Sequence, residues 1–140
     1  MYRAYINIGT NLGDREGNIE RAIGELERRL CVKCRRSHTV KSPAWGFESE
    51  NDFLNIGVSV DTVLSPLDLL HLLKGIEHDM GSLSHRDSRG GYADRLIDLD
   101  IMDIDGVKIQ SEELTVPHPH LWERDFFYLP YRELLEMSAN

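Results

Sequence analysis

No stretch of this 140-residue chain approaches the roughly 18 consecutive apolar residues that a membrane-spanning helix requires. The opening residues, "MYRAYINIGTNLG", alternate apolar and polar types and lack the charged, apolar and small-residue blocks of a secretory leader. These absences predict a cytoplasmic protein with no membrane partner. Basic charge is also scarce: 16 Lys and Arg stand against 24 Asp and Glu, a net charge of −8. Proteins that grip nucleic acid by its backbone present a basic surface, so no nucleic-acid partner is expected. Cysteine is almost missing. Cys31 and Cys34 have C-x-x-C spacing, but no second ligand pair follows to complete a zinc site and no helix starts at the first. Both are expected to be reduced bystanders.

What the chain does have is the composition and length of one globular domain, residues 1–140, with 41% hydrophobic residues and no repeat or low-complexity break. "YRAYINIG" alternates with period two and predicts a first strand, and "TNLGDR" a turn. Ile19, Ile23, Leu26 and Leu30 recur at helical spacing over residues 18–30. Residues 32–40 predict a second strand and 53–62 a third, separated by a loop that holds Pro43 and Gly46. Ser65, Pro66 and Asp68 form a capped start for a second helix, which Gly81 stops. A 13-residue polar loop, "SLSHRDSRGGYAD", leads to a fourth strand over residues 95–102, and Asp105-Gly106 predicts a hairpin turn before "VKIQ". The order β-α-β-β-α-β is that of an α+β, ferredoxin-like core, with an additional C-terminal hairpin and helix segment.

The fourth strand, "RLIDLDIM", carries two aspartates among Leu, Ile and Met. Side chains at i and i+2 of a strand share a face, so Asp98 and Asp100 lie side by side with Cα atoms roughly 6–7 Å apart. Like charges held together are costly unless a cation sits between them. Hard oxygen donors, few in number, suit Mg²⁺ completed by phosphate oxygens and water. The same spacing also fits an edge strand with a solvated face. The loop just upstream brings Arg86, Arg89 and Arg95 with Gly90 and Gly91, which suits a lid closing over a polyphosphate as well as a plain connection. Further on, "VPHPHLWERDFF" gathers His118 and Arg124 among aromatic residues, able to hold phosphate and stack on a flat ring, or simply to close the core. Phe53 and Asn55 share one strand face and offer a ring and an amide for a heterocycle's mixed edge.

Together, "YINIGTNLGD", "SPAWG", "DFLN", "RLIDLDIM" and "LTVPHPHLWERDFF" resemble the 6-hydroxymethyl-7,8-dihydropterin pyrophosphokinase family across nearly the whole chain. The resemblance implies transfer of pyrophosphate from ATP to the pterin's hydroxymethyl group, leaving AMP, in folate biosynthesis. It implies two Mg²⁺ ions on Asp98 and Asp100, with Arg95, Arg86 and Arg89 assisting catalysis. Ser42, Pro43, Trp45, Phe53, Asn55 and Phe126 match pterin-binding positions. Glu77, Arg95, His118 and Arg124 match the nucleotide site. The implied partners are the two small molecules, and the protein is expected as a monomer or weak oligomer. Ser82 stands where the family often has Arg, and Tyr92-Ala93-Asp94 replaces its Trp-Gly-Pro. Those departures support a second reading, a relative that binds pterin or ATP with weak or no turnover.

Overall fold

The computed structural model describes residues 1–42, 52–81 and 96–138. In chain order these form β1 (Tyr2–Thr10), α1 (Arg15–Leu30), β2 (Arg35–Arg36), β3 (Val40–Ser42), β4 (Phe53–Thr62), α2 (Pro66–Asp79), β5 (Asp98–Ile104), β6 (Ile109–Gln110), β7 (Thr115–Val116) and α3 (Asp125–Ser138). The main sheet runs β2-β4-β1-β5, with β3 also paired to β4, and every pairing is antiparallel. The chain is thus a mixed α+β domain on an antiparallel sheet.

The first two helices start where side-chain oxygens can take their first free N–H groups. Asp14 accepts from Gly17 N at 3.1 Å to open α1, and Ser65 accepts from Asp68 N at 3.2 Å to open α2. Pro66 occupies the first turn of α2, where its missing N–H costs nothing. At the other end Gly81 turns away with φ of 87°, as a helix stop requires. Cys31 and Cys34 are free thiols. Burial pushes the Cys34 thiol up to about 12, with the Glu27 charge adding to it, so it is inert at neutral pH.

Three predicted boundaries differ from the observed ones. The second strand, expected over residues 32–40, is two short pieces on the same edge of β4. Arg36 pairs with Val58 and Val40 with Asn55, a one-residue slip in register. Ser37 causes it: its N donates to Gly57 O at 2.9 Å, and its Oγ, rather than a backbone carbonyl, accepts from Gly57 N at 2.8 Å. The fourth strand begins later, at Asp98, and runs on to Ile104 through a bulge opposite Tyr5 and Ile6. The Asp105-Gly106 turn forms, but β6 pairs with β7 instead of folding back on β5. Part of the β5 edge is taken by the segment after β7, where His118 N donates to Met102 O at 2.8 Å.

Alternation divides the sheet into two faces. Ala4, Ile6, Ile8, Leu54, Ile56, Val58, Leu99 and Ile101 pack under α1 and α2 in the larger core. The opposite face carries a smaller cluster, Tyr5, Met102, Leu121, Phe127, Tyr131 and Leu134, through which α3 docks. Because α3 covers only part of this face, the rest is open.

Candidate active site

Two cross-strand rows run across the sheet face that α3 partly covers, and their β1 and β5 members lie in its open part. Directly paired residues of an antiparallel sheet project the same way. Gly57, Asn7 and Asp100 make one row across β4, β1 and β5; Asn55, Gly9 and Asp98 make the next. Asp98 and Asp100 therefore do share a face, and it is the one that α1 and α2 leave uncovered. Each row has a glycine in it. A Cβ on Gly9 would stand 2.9 Å from Asn55 Oδ1 and 3.7 Å from Phe53 Cδ1, so its absence keeps the floor low.

A cavity of about 490 Å³ stands over these rows. Its lining includes Asn7, Gly9, Phe53, Lys74, Glu77, Asp98, Asp100, His118, Arg124 and Phe126, drawn from β1, β4, α2, β5, α3 and the segment before α3. Of the residues expected at a pterin or nucleotide site, Phe53, Phe126, Glu77, His118 and Arg124 thus meet the aspartate pair in one place. Asn55 and Ser42 lie just beneath, both buried; the Asn55 amide donates to Ser42 Oγ at 2.9 Å and to Val40 O at 3.3 Å. Pro43, Trp45, Arg86, Arg89 and Arg95 lie outside the described residues, as do Ser82 and Asp94. Asn7 was not singled out from the sequence, because one amide in the alternating strand "YRAYINIGT" reads as its polar side.

Several side chains around the site are held by specific contacts. Glu77 reaches from α2 to accept the Leu99 N–H at 2.6 Å, between the two aspartates. Burial, then the neighbouring Asp98 charge, push its carboxyl up to about 7. Asn18 of α1 donates to Leu12 O at 2.9 Å and Leu96 O at 3.3 Å, tying the end of β1 to the entry of β5. His118 accepts the His120 N–H on Nδ1 at 3.0 Å, which leaves its proton on Nε2. Burial first, then the Arg124 and His120 charges, lower His118 to about 4. It is therefore a neutral N–H donor at physiological pH. Its ring meets Phe127 edge-on at 4.7 Å, and the Arg124 guanidinium lies 5.7 Å from the Phe126 ring centre.

The charge balance of the cavity decides what it can hold. Among its described lining residues, five acidic residues (Glu77, Asp98, Asp100, Glu112 and Glu113), of which Glu77 is partly protonated at neutral pH, face two permanent cations, Lys74 and Arg124. These described residues alone would repel a polyphosphate that entered without cations. Among the described residues no group of three or more His, Cys, Asp or Glu is arranged to hold a metal by itself. An aspartate pair that leaves most of the coordination sphere to phosphate and water is the arrangement Mg²⁺ favours. The donor set fits that ion.

Comparison with known proteins identifies the family along the sequence. The family described as 7,8-dihydro-6-hydroxymethylpterin-pyrophosphokinase (HPPK) matches residues 5–136. A 2-amino-4-hydroxy-6-hydroxymethyldihydropteridine pyrophosphokinase from Porphyromonas gingivalis is 38% identical over 136 residues, covering 96% of this chain and 91% of that protein. The enzyme of the same name from Aquifex aeolicus is 39% identical over 140 residues, 100% of this chain and 82% of its own. In Pisum sativum the similar stretch, 39% identical and 96% of this chain, forms 25% of a mitochondrial folate synthesis bifunctional protein. With a match that spans every element lining the cavity, the chain belongs to the 7,8-dihydro-6-hydroxymethylpterin-pyrophosphokinase family.

Proposed function

We propose that this cavity is where the chain carries out its family's reaction, with Asp98 and Asp100 holding two Mg²⁺ ions. The reaction joins the hydroxymethyl oxygen of 6-hydroxymethyl-7,8-dihydropterin to the β-phosphorus of ATP. The bond from that phosphorus to the α-phosphate bridging oxygen breaks, AMP leaves, and the hydroxyl proton is released. The pterin diphosphate goes on to folate. The observation that carries this assignment is the aspartate pair on the open sheet face, in a cavity whose described lining is predominantly acidic.

When bound, the ions neutralise the triphosphate and align the phosphorus with the incoming oxygen. The protein's part is positioning. Asp98 and Asp100 are fixed by their pairing to Gly9 and Asn7, and Glu77 pins the strand between them. His118, through Nε2–H, and Arg124 donate to phosphate oxygens. Phe53 and Phe126 enclose the pterin ring, with Asn55 and Ser42 buried beneath it; Pro43 and Trp45 are assigned to the pterin site by the resemblance. Arg86, Arg89 and Arg95, assigned from the family resemblance, are proposed to stabilise charge in the transition state. No observation favours a binder without turnover, since Ser82 and Asp94, on which that reading rests, lie outside the described residues.

The strand order, with the second strand counted as β2 plus β3, supports the ferredoxin-like reading of the core. No helix among the described residues is long and apolar enough to cross a membrane, in keeping with a cytoplasmic site of action.

Counting metal ions tests the assignment. Mn²⁺ titrated into wild type with a non-hydrolysable ATP analogue, followed by electron paramagnetic resonance, should show two bound ions. Chelation should weaken analogue binding by at least about 100-fold, a loss of a few kcal/mol of phosphate neutralisation. Undiminished binding in chelator would remove the metal from the account.

A further inference from the structure

We propose that Asn7 is a positioning residue for the pterin, acting through the backbone of Phe126. The inference rests on the reading of Phe126 as a wall of the pterin site. Asn7 lies in the central strand, 2% exposed, and its Nδ2 donates to Phe126 O at 2.7 Å. That carbonyl is a special one. In α3 it would accept the N–H of the residue four places on, which is Pro130, and proline has none. Asn7 supplies the donor that the helix lacks.

A second contact puts the two partners in register. Gly57 pairs with Asn7 across the sheet. A Cβ built on Gly57 would stand 2.7 Å from Pro130 Cβ and 3.1 Å from Leu134 Cδ1. The missing side chain thus lets α3 settle against the sheet beside Asn7, which brings the Phe126 carbonyl within reach. Gly57 makes room, Pro130 leaves a carbonyl without its helical donor, and Asn7 takes it. The first turn of α3 is fixed to the same row that carries Asp100. The Phe126 ring then stands at a set height over the floor, with Phe127 packed edge-on at 4.9 Å behind it. A ring held this way keeps the stacking slot open before substrate arrives, so binding does not have to order it.

Steady-state kinetics on four proteins tests this: wild type, Asn7→Ala, Pro130→Ala and the double variant. Losing a buried donor and leaving its acceptor unsatisfied should raise the pterin KM about tenfold in Asn7→Ala. The ATP KM should stay within about twofold, a split that a general loss of structure would not produce. The Pro130→Ala substitution restores a backbone N–H for the same carbonyl and keeps the Cβ that meets Gly57. In that background Asn7→Ala should therefore change the pterin KM by less than about threefold. Asn7→Leu, which keeps the volume and removes the donor, should repeat the result if Asn7→Ala folds poorly. Equal effects in both backgrounds, no effect, or ATP and pterin KM rising together would overturn the proposal. Phe126→Ala separates the role of Asn7 from the reading it rests on. If it raises the pterin KM while Asn7→Ala does not, only the role of Asn7 fails. If it leaves the pterin KM unchanged, the reading of Phe126 fails, and the inference with it.

Discussion

Asp98→Ala should fold normally and lose pterin-dependent turnover by about 10³-fold or more. The reaction transfers a highly charged group, and charge neutralisation by metal is worth several kcal/mol, each 1.4 kcal/mol being about tenfold in rate. With one of two carboxylates gone, Asp100 alone lacks the oxygen donors to fix the ions where the phosphates need them. The fold should survive because Asp98 contributes to the sheet through its backbone pairing with Gly9, which alanine retains. Removing its charge also relieves Glu77, whose carboxyl it helps push up; Glu77 remains an acceptor for the Leu99 N–H. Circular dichroism and urea unfolding should match wild type while AMP release vanishes. Near-normal turnover in a folded Asp98→Ala protein would sink the metal assignment.

Gly57→Val should have the largest effect on stability, a loss of about 3 kcal/mol from overpacking. Glycine inside a strand is usually unfavourable, so its presence in the middle of β4 marks a close approach. The neighbour there is the Cβ of Pro130, a rigid ring inside a helix, and not the movable tip of a long side chain. The valine must therefore push α3 away from the sheet. That shift carries Phe126 with it, so the pterin KM should rise along with the instability. Urea denaturation measures the first effect and steady-state kinetics the second. A Gly57→Val protein as stable as wild type would mean that α3 is not seated as described.

The site was legible in the sequence wherever a residue type was out of place. Asp98 and Asp100 stand out because carboxylates in an apolar strand demand a reason. Their shared face followed from the period of a strand alone. Asn7 obeys the same logic, yet one amide in "YINIG" passes for the polar side of an alternating strand. Its meaning depends on Pro130, 123 positions away, and no local pattern links them. The helix caps at Asp14 and Ser65 depend on neighbours three residues on, and of these the Ser65 cap was predicted. The break between β2 and β3 was not, because it comes from a Ser37 hydroxyl bonding to Gly57 on another strand. Likewise, Asp105-Gly106 announces a turn but not the partner of the strand that follows. His118 takes part of that edge through Met102 O. Arg86, Arg89 and Arg95 are known here from sequence only.

The measurement that tests the account most directly is AMP formation from MgATP by the wild-type protein, with and without 6-hydroxymethyl-7,8-dihydropterin. The prediction is AMP release that requires the pterin, matched one for one by pterin diphosphate, with no ADP. A folded protein that binds both substrates and releases no AMP, or that releases it equally without pterin, would contradict the account.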